Sequence, residues 1–575
     1  MIYHPLLIVG GGLAGLRAAI AVHDAGYDCA VITRVHPVRS HSVAAQGGIN
    51  AALGNAEGAR DDTWEKHAYD TIKGSDFLAD QDAAALMTRE APARVYEMEH
   101  WGCPFSRLDD GRIAQRPFGG AGYPRTCYAA DKTGHALLHT MWEQCVKRGI
   151  RTYQEFLVLS LTVREGQAYG LVALNMLTGE VTTLAADAIL FATGGAGRIY
   201  GRSTNAIINT GSGLAIVYRA GVPLKDMEFI QFHPTALYGT NILMTEGCRG
   251  EGGYLTNAED NRFMEKYAAK AMELAPRDIV ARSIQTEINE GRGFGKGGAG
   301  GGYINLDLRH LGAKKIMERL PGIRDICLNF VGIDPIDTPI PVQPGQHYTM
   351  GGIDTDIKGA ARTHGLYAAG ECACVSVHGA NRLGGNSLLD TIVFGKLAGD
   401  AIVEQFQARN PAGRPSPAAE TALQEDLRAA RDKAQRLMAG DGTEDPSAIR
   451  DKLKDTMIEK VGIFRDKGNL EEALAIVREL KQRVRHVKVK SRAKVYNLDL
   501  ITNIELEGML EVAEVIALGA TRRQESRGSH FRLDFNKRDD ENWLKHTLAW
   551  PSPEGPKLEY TPVTITHHQP VERKY

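Results

Sequence analysis

The chain has 575 residues, of which 43% are apolar and 24% charged, and a formal net charge of −2. This length exceeds what one hydrophobic core supports and predicts three or four domains. The even charge balance argues against nucleic acid or an acidic membrane surface as a partner. No run approaches the ~18–20 apolar residues of a transmembrane helix. The chain also enters its first predicted strand too early to leave room for a signal peptide.

The first predicted element is a short apolar strand at 6–9, which runs into Gly10-x-Gly12-x-x-Gly15 and then into an alanine-rich helical pattern. In a dinucleotide-binding βαβ unit the first glycine permits a tight turn and the second lets the backbone approach a pyrophosphate. The third lets helix and strand pack closely. The phosphate then lies over the free N–H groups at the helix start. The alternative is an ordinary glycine-rich turn between a strand and a helix.

A second strand, CAVIT at 29–33, ends in Thr33-Arg34. Dinucleotide folds often place an acid for the ribose hydroxyls at this point, so that part of the pattern is missing. The loop at 39–49, RSHSVAAQGGI, is small and flexible enough to pass close to a flat cofactor. We predict mainly helices at 62–150 and some strands at 153–183.

Two later apolar runs, at 188–197 and 365–371, also end in glycine and predict further strands of the same sheet. The pattern indicates an α/β fold: a Rossmann-like nucleotide-binding domain that the chain leaves and re-enters, interrupted by an inserted α+β capping domain. A helical domain and a small C-terminal domain follow. The predicted domain bounds are 1–233 and 345–408 for the two parts of the nucleotide-binding domain, 234–344 for the capping domain, 409–520 for the helical domain and 521–575 for the C-terminal domain.

Within the insert, the glycine-rich stretch 291–302 superficially resembles a phosphate loop. No Ser or Thr follows Lys296 and no apolar strand precedes the stretch, so we interpret it as a mobile loop.

Past residue 409, prolines mark a linker and apolar residues recur at helical spacing. The basic run at 481–494 alternates with Val, which favours a solvated face over subunit docking or nucleic-acid binding.

The eight cysteines are scattered and contain no C-x-x-C pattern. Cys372-x-Cys374 is a poor start for a zinc or iron–sulfur site, so we predict buried or incidental thiols and no metal site. If the protein handles electrons, the clusters that carry them onward lie in other chains.

Three stretches place His, Arg, Thr and Glu beside glycine or proline turns. They are the segment from Asp226 to Thr235, the segment from Leu243 to Gly253, and the segment from His347 through Glu371 to Leu388, with Pro276-Arg277-Asp278 between the last two. Singly, each His or Arg is more often structural than catalytic. Together they describe a site for a dianion, because Arg binds carboxylates through a bidentate fork and His adds charge-assisted bonds.

At these positions the sequence resembles the flavoprotein subunits of succinate dehydrogenase and fumarate reductase. The resemblance covers essentially the whole chain. It is carried by the motifs RSHSVAAQGGI, QFHPT, TEGCRGEGG, HYTMGG and HGANRLGGNSLLD.

The resemblance implies an FAD-binding domain and a dicarboxylate site. His41 would carry a covalent bond from its imidazole to the 8α-methyl group of the flavin. The expected FAD contacts are Gly10, Gly11, Gly12, Leu13, Ala14, Gly15, Arg34, Ser40, His41, Ser42, Gln46, Gly47, Gly48, Asp226, Glu371, Ser387 and Leu388. The expected ligands of the succinate or fumarate carboxylates are His233, Thr245, His347 and Arg382.

The resemblance further implies that Arg277 exchanges a proton with the substrate carbon, connected to solvent through Glu246 and Arg249. FAD performs the redox step, and the protein supplies orientation and charge. Electrons pass to a partner iron–sulfur subunit and to quinone. Membrane-anchor subunits would then hold the chain peripherally on the cytoplasmic face of the inner membrane.

Two alternatives stay open. L-aspartate oxidase is a relative with the same fold and a similar site, but it lacks the histidine corresponding to His41. A non-catalytic or tRNA-acting flavoprotein would predict a basic domain, whereas the charge here is even and a full dicarboxylate set is present.

Overall fold

The computed structural model describes residues 1–295, 301–440 and 442–574. Within these ranges the central sheet has five parallel strands, in the spatial order Leu366–Ala368, Ala188–Phe191, Leu6–Val9, Cys29–Thr33 and Arg151–Gln154. Parallel sheets are covered on both faces, which explains why three of these strands are near-continuous apolar runs with every residue buried. The four strands predicted for this sheet are confirmed, as is the return of the chain to it.

The first turn of the sheet has the predicted close approaches. Gly10 has a φ of +117°, and a Cβ there would lie 2.2 Å from the carbonyl oxygen of Ala192 on the neighbouring strand. A Cβ on Gly15 would lie 2.1 Å from the carbonyl oxygen of Gly10. The helix that follows, Leu13–Asp24, therefore begins directly above the strand end.

A second long helix, Asn386–Ala408, packs closely on this first helix. A Cβ on Gly395 would lie 2.6 Å from the carbonyl oxygen of Ala14, so the two backbones nearly touch. This contact brings the start of the second helix beside the glycine turn.

The predicted helices at 62–150 and strands at 153–183 are also confirmed. The helices of the nucleotide-binding part are Trp64–Gly74, Gln81–His100, Thr133–Lys147 and Ser212–Arg219. An outer sheet contains Ile2–Tyr3, Val181–Ala185, Gln167–Asn175 and Phe156–Arg164 in that order. A small sheet contains Ile49–Asn50, Thr126–Cys127 and Gln115–Arg116. Short 3-10 turns lie at Pro37–Arg39, His41–Ala44, Gly197–Ile199 and Gly370–Cys372.

The predicted insert has a sheet of its own, in the order Ile230–Leu237, Ile340–Thr349, Ile304–Asp307 and Tyr254–Thr256. Its helices are Gly247–Gly250, Met264–Tyr267, Arg277–Asn289, Gly312–Arg319 and Pro321–Val331, with 3-10 turns at Met272–Leu274 and Arg309–Leu311. One apolar cluster has all its buried members between Leu237 and Val342, which supports the proposed capping domain. The loop predicted at 291–302 lies partly outside the described residues.

The first two strands of that sheet cross the proposed domain boundaries at 233/234 and 344/345. They pair antiparallel, with His233 opposite Gly345 and irregular register on either side of that pair. His233 and His347 therefore come from adjacent strands at the joint between the two parts.

The helical part contains Pro417–Ala439, Pro446–Lys460, Lys467–Arg483 and Leu498–Arg522, as predicted in kind, with a 3-10 turn at Val484–His486. In the basic run, Val487 and Val489 are buried. Lys481 pairs with Glu514 at 2.5 Å and Arg483 with Glu444 at 2.8 Å, which supports the solvated-face interpretation.

The last part of the chain extends a sheet of the nucleotide-binding part. The hairpin Lys545–Trp550 and Lys557–Pro562 continues the sheet formed by Ala373–Cys374, Gly352–Asp354 and Leu224–Lys225. The strand Phe531–Arg532 pairs with Phe464–Arg465, and Asp540–Trp543 is a short helix.

All eight cysteines are buried free thiols, as predicted. Among the described residues, no helix is long and apolar enough to cross a membrane.

Candidate active site

One cleft of about 1690 Å³, including its open mouth, lies at the carboxyl ends of the parallel strands. Open α/β sheets bind ligands at this edge. All of the predicted site residues except Gly15, Asp226 and Arg249 line this single cleft. The structure therefore brings the glycine turn, the 40–48 loop and the dianion-binding set together.

The cofactor end of the cleft is built from backbone and small polar groups. The glycine turn and the start of the first helix form its floor, and Ser42 Oγ accepts a hydrogen bond from the Leu13 N–H at 3.4 Å. Three buried polar atoms that face this end have no partner among the described residues: Ser40 Oγ, Gln46 Oε1 and Thr193 Oγ1. Buried polar groups are normally hydrogen-bonded, so these atoms fit a polar cofactor such as FAD.

Arg34 follows the second strand, at the position where many dinucleotide-binding folds have an acidic residue. Its guanidinium donates to the carboxylate of Glu505, which also accepts a hydrogen bond from the Thr210 hydroxyl at 3.2 Å. Glu505 belongs to the helix Leu498–Arg522, so the helical part of the chain contacts the cofactor end of the cleft through Arg34.

Two histidines face each other at the far end of the cleft. The rings of His233 and His347 have centroids 4.9 Å apart. The Thr235 N–H donates to His233 Nδ1 at 3.2 Å, and the Thr204 hydroxyl shares a 2.7 Å hydrogen bond with His347 Nδ1. These bonds leave the Nε2 atoms for a ligand, and His233 Nε2 is buried without a partner among the described residues.

Burial and the nearby guanidinium of Arg277 lower the pKa of both histidines well below the ordinary range. Both rings are therefore neutral at physiological pH. An anionic ligand would offset the positive charge around them and favour a protonated ring, which makes a stronger charge-assisted hydrogen bond.

Arg382 supplies a fixed positive charge beside the histidines. Its guanidinium lies over the ring of Tyr348, 4.5 Å from the centroid, and its Nε is buried without a partner in the described part of the chain. Burial, and then Arg277, lower the pKa of Arg382 to about 9, so it is still charged at neutral pH. On the other side, Thr245 Oγ1 accepts the Gly247 N–H at 3.1 Å, which leaves its own hydrogen to donate.

Arg277 and Glu246 form a buried ion pair at the wall of the cleft. The Arg277 Nε and Nη2 atoms lie 2.7 and 2.6 Å from Glu246 Oε2. Burial alone favours the neutral carboxyl, but the guanidiniums of Arg277 and Arg249 hold the pKa of Glu246 below its ordinary value. Arg249 stands behind, 3.9 Å from Glu246, outside the cleft lining. The order Arg277, Glu246, Arg249 is the one that the predicted proton path requires.

Gln231 is a site residue that motif reasoning missed. Its Oε1 accepts from Arg277 Nη1 at 3.1 Å, and its Nε2 donates to the carbonyl oxygen of Arg382 at 2.7 Å. Gln231 thus forms hydrogen bonds to the guanidinium of Arg277 and to the backbone of Arg382. Its place two residues before His233 on a buried strand was the available signal, because alternate residues share a strand face.

His41 and Glu371 complete the cleft between its two ends. The Ala206 N–H donates to His41 Nδ1 at 3.2 Å, and burial and Arg198 lower the pKa of His41 to about 4. Burial raises the pKa of Glu371 to about 7, although the Thr349 N–H donates to its carboxylate at 3.1 Å.

Asp226, an expected FAD contact, does not line the cleft. Its two carboxylate oxygens accept hydrogen bonds from His546 Nδ1 at 2.6 Å and from the Thr547 N–H at 3.0 Å. The residue has a φ of +56°, which turns the buried side chain towards the last hairpin of the chain. The carboxylate of Asp226 therefore connects the nucleotide-binding part to the last hairpin, and its expected contact with FAD stays a prediction.

The fold and the cleft together define a dinucleotide-binding enzyme whose second ligand is a small dianion. Residues 6–388 match the family described as FAD binding domain, and residues 450–575 match the family described as fumarate reductase flavoprotein C-term. The chain therefore belongs to the family of succinate dehydrogenase and fumarate reductase flavoproteins, and it binds FAD.

Individual relatives span nearly the whole chain. It is 45% identical to the fumarate reductase flavoprotein subunit of Proteus vulgaris, covering 99% of this chain and 96% of that protein. It is also 45% identical to the succinate dehydrogenase flavoprotein subunit of Coxiella burnetii, with 97% and 96% covered. A solved structure of the Escherichia coli quinol fumarate reductase superposes with a TM-score of 0.94 at 42% identity, covering 99% of this chain and 98% of that one.

The Asp226–His546 pair generates a pH prediction. Two carboxylates, Asp226 and Asp80, outweigh burial and raise the pKa of His546 to about 9 from 6.5. The pair thus contributes stability that is fully present below pH 6.5 and is lost as the pH rises through 9. We expect His546→Gln to destabilise the protein by on the order of 2–3 kcal/mol at neutral pH, and this deficit to shrink towards pH 10. Thermal unfolding across this pH range measures it.

His100→Gln is the control, because His100 is exposed at the end of the helix Gln81–His100. Substitutions at exposed positions usually change stability by about 0.5 kcal/mol or less, so its effect on the unfolding temperature should be small at every pH. Parallel pH profiles for the wild type and His546→Gln would contradict the assignment.

Proposed function

We propose that the chain interconverts succinate and fumarate. The observation that carries this proposal is the set of buried donors at the far end of the cleft: His233 Nε2 and Arg382 Nε, which lack partners among the described residues, and the Thr245 hydroxyl. They surround a space that also touches Arg277, within a cleft shared with the cofactor turn. Two carboxylates separated by two carbons match donors placed on opposite walls.

The cofactor end of the cleft would hold FAD, which would supply the hydride chemistry needed at one central carbon of the dicarboxylate. The chain's own residues orient the substrate and move the proton. His233, Thr245, His347 and Arg382 hold the two carboxylates, which fixes the reacting carbons relative to the cofactor end. In the reductive direction Arg277 gives a proton to the other carbon.

Glu246 and Arg249 would then return a proton to Arg277. Both are fully buried, and Glu246 contacts Arg277 directly, so the transfer is sheltered from bulk water. In the oxidative direction the same three groups carry the proton outward.

We also propose that His41 bonds covalently to the flavin 8α position. Support comes from its place between the cofactor turn and the dianion set, and from the low pKa that keeps its imidazole neutral and nucleophilic. A relative such as L-aspartate oxidase lacks this histidine, so covalent flavin separates the two activities.

Electrons would pass through an iron–sulfur subunit to quinone, with membrane-anchor subunits holding the assembly on the cytoplasmic face of the inner membrane. A solved quinol–fumarate reductase with menaquinol molecules is 43% identical to this chain, with a TM-score of 0.93, and this similarity supports the proposed route. We infer no nucleic-acid partner.

The first prediction concerns electron transfer. The purified chain should reduce fumarate with a soluble dye as donor, and it should use quinone only after an iron–sulfur subunit is added. Dye-linked and quinone-linked assays on the same preparation measure both rates. Full quinone turnover by the isolated chain would contradict the proposed partner.

The second prediction concerns His41→Ser. An alkyl-imidazole substituent withdraws electrons and raises the flavin potential. A fall of about 100 mV on losing it would disfavour reduction by succinate by more than three decades. We expect the variant to bind FAD without covalent attachment, to lose most succinate oxidation and to retain much of its fumarate reduction.

Acid precipitation and mass spectrometry of the flavin peptide give the direct readout. His100→Ser, an exposed histidine outside the cleft, is the control and should retain bound flavin and both activities. Wild-type protein that releases all its FAD on precipitation would favour the aspartate-oxidase alternative.

The third prediction concerns Arg277→Lys, which keeps a charge but loses the planar fork that meets Glu246 and Gln231. We expect kcat to fall by about 10²–10⁴-fold, with the fumarate KM changing far less, since the group acts in the transition state. Arg309→Lys, an exposed arginine of the insert, is the control. A raised KM with kcat retained would reassign Arg277 to carboxylate binding.

A further inference from the structure

Residues 563–574, here called the strap, follow the last hairpin and cross the start of the helix Gln81–His100. The buried side chain of Gln81 fixes this path, because its Oε1 accepts the backbone N–H groups of residues 566–568 at 3.0, 2.9 and 3.0 Å. One residue earlier, Asp80 accepts the Thr564 N–H at 2.6 Å. The strap is therefore held by specific side chains along its length.

Near the end of the strap, Arg573 joins two carboxylates from different parts of the fold. Its Nη2 lies 2.8 Å from Asp278 and 3.1 Å from Asp76. Asp278 is the second residue of the helix that Arg277 begins, and its packing belongs to the insert. Asp76 lies in the turn after the helix Trp64–Gly74, in the nucleotide-binding part.

Both carboxylates are buried and charged. Burial opposes ionisation, but Arg573 and then Arg282 lower the pKa of Asp278 to about 2. The same competition, with Arg573 and Arg527 outweighing burial, lowers the pKa of Asp76. Each carboxylate also has a second cation, Arg282 at Asp278 and Arg538 at Asp76, so loss of Arg573 would remove part of the charge compensation rather than all of it.

The backbone around Asp76 is consistent with a held contact. Asp76 has a φ of +57°, in the left-handed region that few non-glycine residues adopt. Its carboxylate also accepts the Gly528 N–H at 2.8 Å and pairs with Arg538 at 2.9 Å. These two further partners fix the position of the carboxylate that Arg573 contacts.

A second, weaker connection runs in parallel. Arg282, on the same helix as Asp278, donates to the carbonyl oxygen of Gly528 at 2.8 Å. Loss of Arg573 should therefore loosen the helix of Arg277 without releasing it.

We propose that Arg573 is a positioning residue for Arg277, and that the strap thereby completes the active site across the joint between the insert and the nucleotide-binding part. The inference rests on the proton-exchange role proposed for Arg277. Misplacement of a catalytic group by about 1 Å can cost about 10²-fold in rate. A partly loosened helix should cost less than that.

The test uses the full chain with FAD, assayed by fumarate reduction with a soluble donor and normalised to bound flavin. We expect Arg573→Ala to lower kcat about tenfold, with the fumarate KM changing less than threefold. Arg573→Lys keeps one charge and should lose about threefold. Glu572→Gln, a change at an exposed neighbouring residue, should leave both constants unchanged.

Two further measurements separate positioning from general instability. Methylguanidine, added to folded Arg573→Ala, can occupy the space between Asp76 and Asp278, and it should restore most of kcat immediately. Asp278→Asn combined with Arg573→Ala should be no slower than the slower single variant, because both changes remove the same bridge.

A kcat per bound flavin within twofold of wild type in Arg573→Ala would overturn the proposal. So would a failure of methylguanidine to raise kcat, or multiplied losses in the double variant. If Arg573→Ala does not fold, wild-type kcat in Arg573→Lys decides against it. Unchanged activity in Arg277→Lys would instead overturn the role of Arg277, so the two failures are distinguishable.

Discussion

Positive charge on buried side chains is the constraint on which the site depends. Arg277 and Arg382 enter the same enclosed space as His233 and His347, and the carboxylate of Glu246 is already bound to Arg277. Like charges repel strongly where water is excluded. The chain limits the repulsion by keeping both histidines neutral, which burial and the arginines enforce. A ligand with two negative charges relieves what remains, whereas a monoanion would leave part of the set unpaired.

The placement of this charge depends on two antiparallel strands. Ile230–Leu237 and Ile340–Thr349 run through the joint between the nucleotide-binding part and the insert, and they carry the two histidines. Thr245 and Arg277 follow within the insert, while Arg382 returns with the nucleotide-binding part. The proposed ligands of one small molecule are thus divided between the nucleotide-binding part and the insert, so assembly of the proposed site is linked to how these two parts meet. Gln231 connects the two parts, because its side chain bonds to Arg277 of the insert and to the backbone of Arg382 in the nucleotide-binding part.

Much of this architecture could be predicted because its signals are local. A short apolar run predicts a buried strand, and four of the five strands of the central sheet were found in this way, three of them from runs that end in glycine. The site residues cluster beside turns, where side chains converge on a strand edge. Asp226 shows the limit of such signals: its carboxylate accepts a hydrogen bond from His546, 320 residues away in sequence, and no local pattern encodes that contact. The ion pairs of Arg34 with Glu505 and of Arg573 with Asp278 could not be predicted from the sequence either, because each joins residues that are hundreds of positions apart.

The hydrogen bond at His41 has a consequence for regiochemistry. An imidazole has two nitrogens that could be alkylated, and free histidine offers both. Here the backbone N–H of Ala206, in a loop of the nucleotide-binding part, donates a hydrogen bond to the Nδ1 lone pair of His41 at 3.2 Å. The covalent bond proposed for His41 would therefore form at Nε2, because the backbone of the loop that carries Ala206 already occupies Nδ1.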